Sequence, residues 1–190
     1  MPTRHLILAS ASPRRLDLLR ATGLDPEVRI PDIDESPLPG EDPTAMVERL
    51  ACAKRDAVLA SITDGVDRRV VAADTVVVLD GVVLGKPGTP GTATAMLSRL
   101  SGRTHHVVTG VAVSGPADTA STTVSTEVTW RALSSAEIAT YVATGEPLDK
   151  AGGYGIQGGG ADFVTSLIGS RDNVIGLPVT TALELLARVS

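Results

Sequence analysis

One stretch constrains the fold more than any other. Val70-Val71-Ala72-Ala73-Asp74-Thr75-Val76-Val77-Val78-Leu79 is apolar except at Asp74 and Thr75, and Asp80-Gly81 follows it directly. A β-branched run that ends at Asp-Gly predicts a strand turning tightly into a hairpin, with Val82-Val83-Leu84 returning. The fold therefore has to be built on a sheet, and that sheet holds a carboxylate within its strongest strand.

The remaining pattern alternates strands with helices. Leu6-Ile7-Leu8-Ala9 reads as a short buried strand. Ser12 is placed to cap a helix that opens at Pro13, buries Leu16 and Leu19, and stops at Gly23. A Pro- and acid-rich loop spans 31–43, and Asp42-Pro43 starts a helix to about residue 60, with Met46, Leu50, Ala53 and Ala57 on one side. A third helix is expected over 91–100, ending at Ser101-Gly102. Strands are expected over 105–113 and 122–130, the second alternating Val124, Thr126, Val128 and Trp130 on one face. Ser134-Ser135-Ala136-Glu137 matches a capping box for a helix that stops at Gly145. The segment 146–160 is Gly-rich and reads as non-helical, and a last helix starts at Pro178 and carries Val179, Leu183 and Leu186. This mixture predicts an α/β or α+β fold with a mixed sheet, without internal repeats or a long linker. A length of 190 residues suits one domain, or two small lobes sharing a sheet.

Composition removes several function classes. Apolar residues are 43% and charged residues 21%, which is ordinary globular usage. Seventeen Lys+Arg against 22 Asp+Glu leave a net charge of -5, which argues against a large nucleic-acid footprint. No apolar run approaches the roughly 18 residues of a membrane span, and Met1-Pro2-Thr3-Arg4-His5 lacks a signal-peptide pattern. Cys52 is the single cysteine, so disulfide frameworks and Cys-rich zinc sites are excluded. The expectation is a soluble cytoplasmic domain with neither a membrane nor a polymeric nucleic acid as partner. Aromatics are 2%, so the core has to come from Val, Leu, Ile and Ala.

Candidate chemistry sits in a few places. Arg14 and Arg15 follow Ser10-Ala11-Ser12-Pro13 in the first turn of a helix, against the dipole preference. They are either solvated surface arginines or a clamp for a polyanion such as a phosphate chain. Asp74 is either a structural hydrogen-bond partner or a cleft residue serving a metal or a proton. Glu35, with Asp32 and Asp34, offers carboxylates to a hard cation, though an acidic surface turn reads as well. Lysine occurs only at 54, 86 and 150. Lys54, among Arg49, Arg55 and Asp56, reads as part of a solvated face, whereas Lys86 follows the hairpin strand and is placed to reach toward Asp74. Gly153-Tyr154-Gly155-Ile156-Gln157-Gly158 matches the dinucleotide fingerprint formally, yet no strand precedes it and no helix follows, so a ligand-approaching loop or an ordinary glycine turn fits better. His5, His105 and His106 lack metal-ligand spacing and read as packing residues, as does Cys52.

Taken together, these segments resemble the Maf family of nucleoside triphosphate pyrophosphatases, also described as septum-formation-inhibitor-like proteins. The resemblance runs through Leu8-Ala9-Ser10-Ala11-Ser12-Pro13-Arg14-Arg15, Ala73-Asp74-Thr75-Val76-Val77, Gly85-Lys86-Pro87, Leu100-Ser101-Gly102, His105 and Thr109-Gly110-Val111. It continues through the block from Gly145 to Gly158, Asn173-Val174 and Gly176-Leu177-Pro178.

The resemblance implies a single domain over 1–190 with an inosine-triphosphatase-like fold, an elongated mixed sheet flanked by helices and a cleft between two lobes. It implies hydrolysis of a nucleoside triphosphate, dTTP or UTP, to monophosphate and pyrophosphate with a divalent cation, Mg²⁺ or Mn²⁺. Carried over by residue, Ser10, Arg14 and Arg15 line the phosphate end, while Lys54 and Lys86 neutralise phosphate charge. Glu35 and Asp74 serve the metal and the attacking water, with Asp74 as proton acceptor. Arg14, Thr75 and Gln157 match the dTTP/UTP-preferring group, whereas Arg171 stands where an aromatic is common. Two rivals stand beside this reading: a non-catalytic nucleotide-binding regulator of septum formation, and an unrelated phosphatase acting on monophosphates. The oligomeric state is open, with a homodimer among the choices.

Overall fold

The computed structural model describes residues 6–63 and 68–189; His5 lies outside the described residues. The strands are β1 (Leu6–Ala9), β2 (Glu27–Arg29), β3 (Arg69–Leu79), β4 (Val82–Leu84), β5 (Thr104–Ser114), β6 (Thr119–Trp130) and β7 (Val164–Ile168). The helices are α1 (Pro13–Arg20), α2 (Pro43–Ala60), α3 (Pro90–Leu100), α4 (Ser135–Ala143), α5 (Arg171–Ile175) and α6 (Val179–Arg188). The strands form one sheet in the order β2-β1-β3-β5-β6-β7, with β4 attached to β3. β1 runs parallel to both β2 and β3, placing Leu8 beside Val28 and Val71. The β3–β4 and β6–β7 pairs are antiparallel, so the sheet is mixed, as the sequence predicts.

By its contacts the chain divides into two compact units. The first comprises Met1–Asp74, Thr109–Val124 and Gly176–Ser190, and the second Thr75–Val108 and Ser125–Ile175.

In the first unit β1 and the adjoining part of β3 are buried on both faces, which is why they carry no polar alternation before Asp74. Leu6 and Leu8 pack with Val71, Ala73 and Leu19 of α1 and with Ala182, Leu185 and Leu186 of α6. The intervening residues Ile7 and Ala9 pack with Val70, Ala72 and Val58 of α2. Helix α2 lies close on β5. A Cβ added at Gly110 would stand 2.2 Å from the Val47 carbonyl oxygen, so only glycine admits this approach.

The second unit differs from expectation in its core. All four aromatics of the chain, Trp130, Tyr141, Tyr154 and Phe163, join the apolar cluster that includes Val77, Leu97, Leu100 and Val128. Their rings meet edge-on, Trp130 with Tyr154 at 4.7 Å and Tyr141 with Phe163 at 5.1 Å between centroids. A low average content thus conceals one dense cluster.

Local signals in the sequence are realised unevenly. Asp80 (φ 52°) and Gly81 (φ 74°) form the expected hairpin turn. Ser134 and Glu137 close a complete capping box on α4. Ser12 stands at the N-cap of α1 but makes no side-chain cap. Its own N–H donates instead to Ser10 Oγ at 3.1 Å. The non-helical segment contains three 3-10 turns, Glu146–Asp149, Ala151–Gly153 and Gly159–Phe163. Leu183 is only partly buried, and Ala182 and Leu185 take the inward positions of α6. The sequence pattern did not reveal β2, β7 or α5, each five residues or shorter.

Candidate active site

Lys54 is the centre of the first unit's polar cluster, and the solvated face expected for it is not what forms. The buried stripe of α2 is Met46, Val47, Leu50, Ala51, Lys54, Arg55 and Val58. That stripe is rotated from the Met46–Leu50–Ala53–Ala57 face and carries Lys54 inward. Its ammonium donates to Asp74 Oδ1 at 2.7 Å and lies 3.1 Å from Glu35 Oε1. The Lys54 side chain is 8% exposed and that of Asp74 11%, so the pair is withdrawn from water. A pair so placed gains little net stability over apolar residues of equal volume, yet removing one partner leaves a buried uncompensated charge.

The carboxylates of the 31–43 loop separate into distinct roles. Asp34 accepts from the Ser36 N–H at 2.9 Å, and hydrogen bonding by Ser36, its hydroxyl first and its N–H second, holds the Asp34 carboxyl below the usual range. Asp32 is exposed. Glu35 is the member that reaches Lys54. The loop is moored to α2, because Arg49 Nη2 donates to Ser36 O at 3.2 Å and to Glu41 Oε2 at 2.7 Å. The Arg49 hydrogen bond pulls Glu41 down to about 2.

At the β1–α1 junction, Arg15 is not a solvated surface arginine. Its Nε donates to Gly176 O at 2.7 Å and its Nη1 to Ser10 Oγ at 3.1 Å. Burial lowers the Arg15 pKa, while the charge of Asp74 opposes that shift and Arg14 adds to it. Asp74 and Arg15 therefore share one electrostatic environment, with Glu35 also contributing. Ser10 is buried, and Arg14 is half-buried without a hydrogen bond among the described residues. Arg15, Glu35, Lys54 and Asp74 thus form one charged group in the first unit, with the Ser10 hydroxyl bonded to Arg15.

Thr75, Lys86 and Gln157 belong to the second unit. Thr75 follows Asp74 inside the unbroken strand β3, so their side chains leave opposite faces. Lys86 is exposed in the connection after β4. That connection is tied to the glycine-rich segment by Gly152 N–H to Gly85 O at 3.0 Å and Gly88 N–H to Leu148 O at 3.1 Å. Gln157 is exposed in the turn 156–158. Lys150 turns back on its own segment, donating to Glu146 O and to Asp149 Oδ1, both at 2.8 Å.

Sequence reasoning passed over Tyr141 and Glu146, which both hydrogen-bond this glycine segment. Glu146 opens the Glu-Pro-Leu-Asp-Lys stretch directly before the glycines, and that position was the available signal. His105 is buried and pairs with Tyr154 Oη at 2.7 Å, in keeping with a packing role. His106 lies 3.9 Å from Glu127, and Cys52 is partly buried on α2.

Among the described residues no group of three or more His, Cys, Asp or Glu is assembled. Glu35 and Asp74 are the carboxylates that share one partner. Two carboxylates fit a hard divalent cation of the Mg²⁺ type, which commonly takes one or two protein carboxylates and completes its shell with substrate phosphate and water. No helix among the described residues is long and apolar enough to cross a membrane.

The chain is 52% identical over 186 residues to the dTTP/UTP pyrophosphatase of Moorella thermoacetica, covering 96% of this chain and 93% of that one. It is 50% identical over 183 residues to the dTTP/UTP pyrophosphatase of Myxococcus xanthus, covering 96% and 91%. A solved structure with partial likeness is the Ham1 protein of Staphylococcus aureus, with a TM-score of 0.44, 18% identity, and coverage of 66% of this chain and 71% of that one. The family model described as Maf-like protein matches residues 5–189, and the chain belongs to the Maf-like family.

Proposed function

We propose that this protein hydrolyses the α–β anhydride of nucleoside triphosphates, dTTP and UTP foremost, releasing monophosphate and pyrophosphate. The observation that carries the reading is the buried Lys54 ammonium held between Asp74 and Glu35. The names of the relatives, dTTP/UTP pyrophosphatases at 52% and 50% identity, favour an enzyme over a non-catalytic regulator.

Each residue has a physical task. Breaking the anhydride concentrates negative charge on the departing pyrophosphate, and preorganised cations offset it. Lys54 supplies one such charge from a desolvated position, and the exposed Lys86 supplies another. Arg14 and Arg15 bind the phosphate chain, and the bond from Arg15 Nη1 to Ser10 fixes the plane of its guanidinium. Asp74 Oδ1 is held by Lys54. Its other oxygen makes no hydrogen bond among the described residues and accepts the proton of the water that opens the anhydride. Glu35 and Asp74 would hold a divalent cation, Mg²⁺ or Mn²⁺, which when bound supplies Lewis-acid polarisation of phosphate oxygens. Gln157 offers both a donor and an acceptor to the edge of uracil or thymine.

The test is a panel of dTTP, UTP, CTP, ATP and GTP with Mg²⁺, scored for pyrophosphate. The expected result is kcat/KM for dTTP and UTP at least ~10-fold above that for ATP and GTP, because a hydrogen-bonding site rejects mismatched bases. Equal values would contradict the base assignment. Absence of pyrophosphate with every nucleotide would contradict the activity.

A further inference from the structure

The turn that carries Gln157 is held by side chains from three other segments of the second unit. The Gly155 N–H donates to Tyr141 Oη at 3.1 Å, and the Gly159 N–H donates to Glu146 Oε2 at 3.1 Å. Tyr141 Oη in turn donates to Glu146 Oε1 at 3.0 Å, which joins the two anchors. Arg171 Nη2 donates to Ile156 O at 3.2 Å, and Gly158 N–H closes the turn on Gly155 O at 3.1 Å. The turn is therefore gripped on both sides of Gln157, at 155, 156 and 159.

Steric contact tells the same story. A Cβ added at Gly158 would stand 2.3 Å from Glu146 Oε1, and one at Gly155 2.7 Å from the same oxygen. The turn's backbone is thus seated against this carboxylate, and a side chain at either glycine would push the carboxylate out of place. Tyr141 is itself fixed by packing. Tyr141 projects from α4 with its ring edge-on to Phe163, and burial pushes its hydroxyl far above the ordinary tyrosine range. It therefore remains a donor to Glu146 while accepting from Gly155.

An exposed glycine-rich turn without such ties would sample many conformations, and ordering it on binding costs about 1–2 kcal/mol per residue. A base-reading amide needs its backbone held beforehand. We infer that Tyr141, Glu146 and Arg171 are positioning residues that hold the 155–159 turn so that Gln157 meets the pyrimidine edge in one orientation. This rests on the reading of Gln157 given above and adds the means by which its selectivity is achieved.

Tyr141→Phe is the direct test, because it keeps the ring against Phe163 and removes the hydroxyl. Expected results are faster hydrogen exchange at the Gly155 and Gly159 amides and a rise of about 5–10-fold in KM for UTP, the scale of one lost hydrogen bond. The value of kcat should stay within about twofold, and the UTP-over-ATP ratio should fall. In a Gln157→Ala background, Tyr141→Phe should raise KM no further. Arg171→Ala, made on a different helix, repeats the test should Tyr141→Phe fail to fold. Unchanged exchange in the folded variant, or a KM effect that adds in full to that of Gln157→Ala, overturns the inference. The two levels separate cleanly. If Gln157→Ala alone leaves KM and selectivity unchanged, the base reading falls and the inference with it. If Gln157→Ala acts but folded Tyr141→Phe does not, only the positioning role falls.

Discussion

Lys54 Nζ lies 2.7 Å from Asp74 Oδ1 with both side chains nearly sealed from water, so a charge pair joins α2 to β3 where apolar contacts prevail. Desolvating two ions is expensive, and apolar residues of the same volume would serve stability equally well. Stability alone therefore does not account for the pair, and it divides stability from activity in testable ways.

Lys54→Met leaves Asp74 buried without its ammonium. Stability should fall by about 3–5 kcal/mol in urea titration, the range for a broken buried pair. The double variant Lys54→Met/Asp74→Leu should recover most of that loss and remain inactive. A double variant as unstable as the single one would show that the pair is not the source of the effect.

Arg15→Ala removes the hydrogen bonds to Gly176 O and Ser10 Oγ as well as a phosphate contact. The expected loss is about 1–3 kcal/mol of stability, more than an exposed charge would give, together with a higher KM. Thermal melts and steady-state kinetics on one preparation check both. An unchanged melt would show that these two bonds carry nothing.

His105 gives a pH signature. Burial, with His106 adding to it, lowers its pKa from 6.5 to about 4. The unfolded chain takes up this proton first, so His105's contribution is complete above about 6.5 and is lost as pH falls toward 4. The slope amounts to on the order of 3 kcal/mol across that window. His105→Gln keeps a partner for Tyr154 Oη and should abolish the slope. An unaltered pH dependence in His105→Gln would contradict the assignment.

Gly110→Ala should act on the site through packing. Its new Cβ would stand 2.2 Å from Val47 O on α2, and backbone must move to admit it. The expected cost is about 1–3 kcal/mol, with lowered kcat because the helix that carries Lys54 is displaced. Wild-type stability would show that α2 yields without consequence.

The sequence exposed the fold well wherever one local signal sufficed. The Asp80-Gly81 turn, the Ser134–Glu137 capping box and the Pro43 start of α2 each form as read. Short edge strands such as β2 and β7 went unseen, because a strand of three to five residues without clear alternation is defined by its neighbours. The site was legible as a set of residue types and less so as an arrangement. Asp74 stood out because a carboxylate in an apolar run is costly. Lys54 did not, because its charged neighbours Arg55 and Asp56 made the helix face look solvated until the stripe of α2 was placed. The role of Tyr141 and Glu146 depends on a loop folding back onto α4, and no spacing in the sequence announces that.

Product identity tests the central claim most directly. Purified protein is incubated with UTP and Mg²⁺, beside Asp74→Asn of matched folded fraction, and the products are resolved by phosphorus NMR. The expected result is one pyrophosphate for each UMP from the native protein. Asp74→Asn should be at least ~100-fold slower, the scale of a lost general base. UDP with orthophosphate as products, or native turnover by folded Asp74→Asn, would contradict the account.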